Sequence, residues 1–195
     1  MKQARARLTH AVILNAAGEI FAERGFTDTD LQSVADRIGL TKGALYGHFP
    51  SKAALAAAVI EDFERSWAEV TTAARHSSRP ALQTLTRLLL ELSRRTAEDI
   101  RFLSGLRLKM AAARARGAEE PHLAELYDLL TSLVLLSQEQ GDIHAGRRPE
   151  LLVPLLISLI LGTWELGLVT GEEHAADLVP SLWETILPAL QLSSD

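Results

Sequence analysis

The stretch Leu31 to Phe49, LQSVADRIGLTKGALYGHF, constrains the fold most, because two short helical patterns meet within it at Gly39-Leu40-Thr41. In the first pattern Leu31, Val34, Ala35 and Ile38 recur at the 3.6-residue period, while Gln32, Asp36 and Arg37 fall on the opposite face. Thr29, three residues ahead of Gln32, has the form of a capping box and is expected to start this helix. Gly39 supplies the left-handed backbone that ends it, Leu40 closes the corner and Thr41 caps the next helix. A helix that stops and restarts so quickly has the geometry of a helix-turn-helix, whose second helix enters the major groove of DNA. An ordinary helical hairpin shares the bare pattern, so the side chains of the second helix must separate the two.

Between Thr41 and Phe49 those side chains are small, basic or aromatic, as insertion into a groove demands. Gly43 and Ala44 allow close backbone approach, Lys42 and the free amides of the first turn attract phosphate, and Tyr46 and His48 reach further. Leu45 and Phe49, four apart, are placed to hold the helix to a core behind it. The candidate DNA contacts are Thr29, Thr41, Lys42, Gly43, Ala44, Tyr46 and His48, together with Lys52 at the start of the following helix.

Residues 9 to 60 resemble the DNA-binding domain of the TetR family of transcriptional repressors. The resemblance rests on Thr41-Lys42-Gly43-Ala44-Leu45-Tyr46, His48-Phe49 and Ser51-Lys52, with Phe21, Gly25 and Phe26 matching the end of the family's first helix. Gly47 departs from it, standing where many members carry a larger side chain. The resemblance implies a repressor that reads an inverted-repeat operator in double-stranded DNA as a homodimer and is released by a small-molecule effector.

A net charge of −5 over 195 residues looks wrong for a DNA binder until it is divided along the chain. Residues 1–60 hold seven basic and five acidic side chains, a balance of +2, and the remainder carries −7. A weakly basic head on an acidic body orients one end toward DNA. The absence of cysteine excludes disulfides and thiolate metal sites. Val12 to Ile20 is too short and too amphipathic for a secretory signal, so the expected location is the cytoplasm.

Aliphatic richness, few prolines and no strand alternation predict an all-α chain of about nine helices. Helix one is expected from Thr9 to Arg24, helix four from Ser51 to about His76, and later helices over 81–97, 99–116, 121–140, 149–170 and 175–191. The division is an N-terminal helix-turn-helix domain at 1–50, a connecting helix at 51–76 and a C-terminal ligand-binding and dimerisation domain at 77–195. Lys52 at the head of helix four is expected to meet a phosphate.

Leu151 to Trp164 is an uncharged run of fourteen residues, short of the roughly 20 needed to span a bilayer, so no membrane partner is expected. The family resemblance implies instead that this helix and the last one, apolar at Leu182, Trp183, Ile186, Leu187 and Leu190, pair with a second copy. It also implies ligand sensing by the body. Trp67, Arg101, Phe102, Met110, Tyr127 and Trp164 are the candidate effector contacts, with His122, Gln138 and Glu165 as further polar candidates.

The body is also similar to actinobacterial gamma-butyrolactone receptors, a subgroup of TetR proteins, at Asp99 to Leu108, Gln138 to Asp142 and Leu161 to Trp164. Those receptors carry a ligand-facing tryptophan shortly after the proline matching Pro121, where this chain reads His122-Leu123-Ala124-Glu125-Leu126. The difference implies either another small molecule or a homologue without lactone sensing.

No catalytic residue, metal ligand set or cofactor motif emerges. His122 with Glu125, and Glu172-Glu173-His174 with Asp177, are nominal metal pairs, but HExxH, a phosphate-cradling glycine loop and a Ser-His-Asp order are all missing. A metal-dependent enzyme is thus a remote alternative. A constitutive or architectural DNA-binding protein without ligand is a closer one.

Overall fold

The computed structural model describes residues 2–170 and 175–191, with side chains described for residues 8–163, 165 and 178–191. Among the described residues the chain is all-α. Its helices are α1 (Lys2–Arg24), α2 (Leu31–Arg37), α3 (Lys42–His48), α4 (Lys52–Arg75), α5 (Ala81–Glu98), α6 (Ile100–Ala115), α7 (Pro121–Glu139), α8 (Pro149–Thr170) and α9 (Ala175–Gln191).

The boundaries follow local signals closely, with two corrections. Helix α1 begins seven residues before the expected Thr9, because Lys2-Gln3-Ala4-Arg5-Ala6-Arg7-Leu8 are all strong helix formers and nothing stops the helix between them. Thr29 does not cap α2. Asp30 does, its carboxylate accepting from the Ser33 amide at 2.8 Å, while Gln32 donates to Asp36 at 2.6 Å instead of reaching back to a cap. The Ser33 amide and hydroxyl hold the Asp30 carboxyl below its ordinary range.

Two compact units result, Met1–Trp67 with Asp99–Glu120, and Ala68–Glu98 with Pro121–Asp195. This grouping differs from the linear division at residues 50 and 76, because α6 packs lengthwise on α1. The core of the first unit joins Ile13, Ile20 and Phe21 of α1, Leu31 and Val34 of α2, Leu45 and Phe49 at α3, Leu55 and Val59 of α4 and Leu108 of α6. At Gly105 a Cβ would overlap the Cβ of Phe63, so α6 approaches α4 more closely there than any side chain permits. Ion pairs flank that contact, Arg101 to Asp62 at 2.7 Å and Lys109 to Glu64 at 2.6 Å.

In the second unit α5 packs on α7, α8 and α9, burying Leu85, Leu88, Leu89 and Leu92. The indole of Trp183 on α9 donates to the Thr86 hydroxyl on α5 at 3.1 Å. Helix α8 buries Leu152, Val153, Leu156 and Ile160 but leaves Leu151 61% and Leu155 47% exposed. No described helix is long and apolar enough to cross a membrane.

Candidate nucleic-acid interface

The corner between α2 and α3 closes through backbone geometry. Gly39 takes φ +65°, the Leu40 amide donates back to the Ala35 carbonyl at 2.9 Å, and Thr41 then caps α3 by accepting from the Ala44 amide at 3.2 Å. Arg37, in the last turn of α2, forks onto Glu23 at 2.9 and 3.0 Å and reaches Glu19 at 3.0 Å. That brace fixes α2 against α1 and holds the Glu23 carboxyl below its ordinary range.

Helix α3 divides sharply into two faces. Leu45 is fully buried and Phe49 nearly so, the latter with the His10 ring against it at 4.9 Å between centroids. Thr41, Lys42, Gly43, Ala44, Tyr46 and Gly47 are exposed, and His48 is half-buried. The Lys42 ammonium lies 5.8 Å from the centre of the Tyr46 ring, which brings a cation and a phenol to one edge of the helix. Gly47 faces open space, so the departure from the family pattern leaves a flat spot beside Tyr46.

Two expected contacts have other work. Thr29 is buried, and its hydroxyl donates to the Gly25 carbonyl at 2.7 Å, tying off the end of α1. Lys52 directs its ammonium inward, to the carbonyls of Phe26 at 2.8 Å, Thr27 at 3.1 Å and Thr29 at 2.7 Å, with the Phe26 ring centre 4.6 Å away. A lysine whose three protons are already placed is a staple for the loop between α1 and α2. Ser51 caps α4, accepting from the Ala54 amide at 3.0 Å. No local pattern exposed the role of Lys52, since its acceptors are backbone atoms more than twenty residues away in sequence.

The model for "Bacterial regulatory proteins, tetR family" matches residues 13–59, the segment that carries most of α1, the Gly39 corner and α3. The similarity extends along the chain to the TetR family protein CprB from S. coelicolor A3(2), at 28% identity and a TM-score of 0.74 over 95% of this chain and 90% of that one. The chain belongs to the tetR family. Another tetR-like neighbour is a structure described as a gamma-butyrolactone receptor, with 27% identity and a TM-score of 0.70 over 93% of this chain and 87% of that chain. A curated relative, the A-factor receptor protein of Streptomyces griseus, is 27% identical over 97% of this chain and 66% of its own length, so under two thirds of that protein is covered. These relatives are regulators and receptors and not enzymes.

The candidate effector residues fall in both units. Trp67 and Phe102 pack with Phe63 in the first unit, ring centres 5.1 to 6.4 Å apart, and all three are buried. Arg101 is held by Asp62, and Met110 is half-buried in the same unit. Tyr127 belongs to the second unit and is 38% exposed, while the side chain of Trp164 lies outside the described residues. Gln138 secures the loop after α7 through the carbonyls of His144 at 3.1 Å and Arg147 at 2.6 Å. His122 is half-buried and Glu165 exposed, and Glu125 is paired with Arg75 at 3.0 Å. Glu172, Glu173 and His174 lie outside the described residues, as does the side chain of Asp177.

Proposed function

We propose that this protein is a cytoplasmic TetR-type repressor that binds an inverted-repeat operator as a homodimer and is released by a small, mostly apolar molecule. The DNA-binding reading is carried by the two faces of α3, with Leu45 and Phe49 anchoring it while Thr41, Lys42, Gly43, Ala44 and Tyr46 stand exposed. Small residues admit the backbone to a groove, Lys42 neutralises phosphate, and Tyr46 and His48 reach base edges or backbone. CprB has been solved in complex with its biological operator sequence, which supports the same use of this surface here.

Dimerisation is supported by an apolar stripe on α8, where Leu151 and Leu155 are exposed and Leu159, one further turn along, is half-buried. Two copies related by a two-fold axis read two half-sites, so the operator mirrors that symmetry. Replacing Leu151 and Leu155 by Asp tests this without touching the core. Light scattering then reports monomers and operator affinity collapses; an intact dimer overturns the interface.

Effector release is supported by the relatives, a gamma-butyrolactone receptor and an A-factor receptor. A route exists through α4, a single helix in which Lys52 and Trp67 lie fifteen residues and about 22 Å apart. To move the protein from mostly bound to mostly free, an effector must favour the released form by about 5.5 kcal/mol. Titrating gamma-butyrolactones and neutral apolar metabolites into a complex with labelled operator, followed by fluorescence anisotropy, tests the release. The tight packing of Trp67 and Phe102 favours the second reading, a constitutive repressor, and unchanged anisotropy throughout decides for it.

A further inference from the structure

The second unit holds a half-open groove of about 270 Å³ between the last two turns of α4 and α5, and none of the candidate effector residues lines it. Its floor is apolar, made by Val70, Ala73 and Ala74 of α4 and Leu88 of α5. Three arginines, Arg79, Arg87 and Arg95, recur every eight residues and all line it, as do Glu69 of α4 and Glu91 of α5.

The charges do not cancel evenly. Glu91 is held by Arg94 and by Arg95, each at 2.8 Å, and Arg95 also reaches Glu69 at 3.5 Å. Both acids and Arg95 are therefore committed to one another. Arg79 and Arg87 form no ion pair among the described residues, so the groove keeps two uncompensated guanidinium groups beside an apolar floor. The Ser77 hydroxyl, also on the wall, accepts from Thr84 at 2.9 Å and from the Arg79 amide at 3.2 Å, which leaves its own proton for an acceptor.

We propose that this groove binds an amphipathic monocarboxylate, its carboxylate held by Arg79 and Arg87 and its aliphatic chain laid on Val70, Ala73, Ala74 and Leu88. Guanidinium forks match a carboxylate bidentately, and the apolar floor removes the chain from water. A neutral chain of the same length gains only the second of these. The site stands independently of effector release, because binding is measured on the protein without DNA.

Calorimetric titration of the full chain with octanoate, octanamide and octyl phosphate tests it. Octanoate saturates one site per chain, and octanamide binds about tenfold more weakly for want of the charge-assisted bonds. Arg79→Ala and Arg87→Ala each weaken octanoate severalfold, and Ala73→Trp, which fills the floor from an exposed position, abolishes binding while Tm is unchanged. Equal affinity for octanoate and octanamide overturns the anion site, as does octanoate binding indifferent to all three substitutions or the absence of saturable binding. Octyl phosphate binding more than tenfold tighter than octanoate overturns the carboxylate in favour of a phosphate ester.

Discussion

The ammonium of Lys52 donates to the carbonyl of Thr29 at 2.7 Å, and so ties the first turn of α4 to the residue that leads into α2. Phe26 and Thr27 supply the other two acceptors. The loop between α1 and α2 is thus organised by a side chain from the helix that follows the reading helix.

Lys52→Met therefore lowers folding stability by about 1.5–3 kcal/mol, the range for hydrogen bonds to a charged group. Urea denaturation measures the loss. The salt dependence of operator binding keeps its wild-type slope, and a shallower slope for this variant returns Lys52 to the phosphate-binding set.

Lys42→Ala behaves in the opposite way, because Lys42 is exposed on α3 with its ammonium near the Tyr46 ring. Stability is unchanged, and the slope of log affinity against log salt becomes shallower by about 0.9 for each phosphate no longer neutralised. Anisotropy titrations between low and moderate salt check it on specific and non-specific DNA alike.

Tyr46→Ala costs on the order of 1–3 kcal/mol of operator affinity and narrows the gap between specific and non-specific DNA. Competition titration with unrelated duplex measures that gap. An unaltered ratio assigns Tyr46 to backbone positioning alone.

Gly105→Ala forces a methyl into the Cβ of Phe63 and pushes α6 off α4. Overpacking of this kind costs about 1–3 kcal/mol, and each kcal/mol lowers Tm by roughly 2–4 °C in a chain of this size. Phe63→Gly in the same chain removes that Cβ and makes room for the methyl, so the two substitutions together cost less than the sum of their separate effects.

Glu91 contributes to the acid-side pH dependence of the second unit. Hydrogen bonds from Arg94, then from Arg95, draw its carboxyl from 4.5 down to about 2. A folded pKa below the unfolded one contributes stability that is present above about 4.5 and lost as the pH falls toward 2. Glu91→Gln accordingly flattens the stability profile between those limits, checked by chemical denaturation at a series of pH values.

The reading helix is legible in the sequence almost residue by residue. Gly39 adopts the positive φ, Thr41 caps α3, and Leu45 and Phe49 turn inward, because each depends on neighbours within four positions. The ends of α5, α8 and α9 lie within a residue of the periodic pattern for the same reason. The cap of α2 sits one position beyond the expected one, since Thr29 and Asp30 are both competent and only the fold buries the first of them.

Tertiary structure decided the rest. It grouped α6 with α1, packed Trp67 and Phe102 into a core, turned Lys52 inward and left Arg79 and Arg87 facing one groove. Caps and periodicity are written in adjacent residues, whose spacing along a helix is set by covalent geometry. Which distant carbonyl meets a lysine, or which glycine meets a phenylalanine, depends on how whole helices pack, and many pairings are compatible with the same apolar stripes.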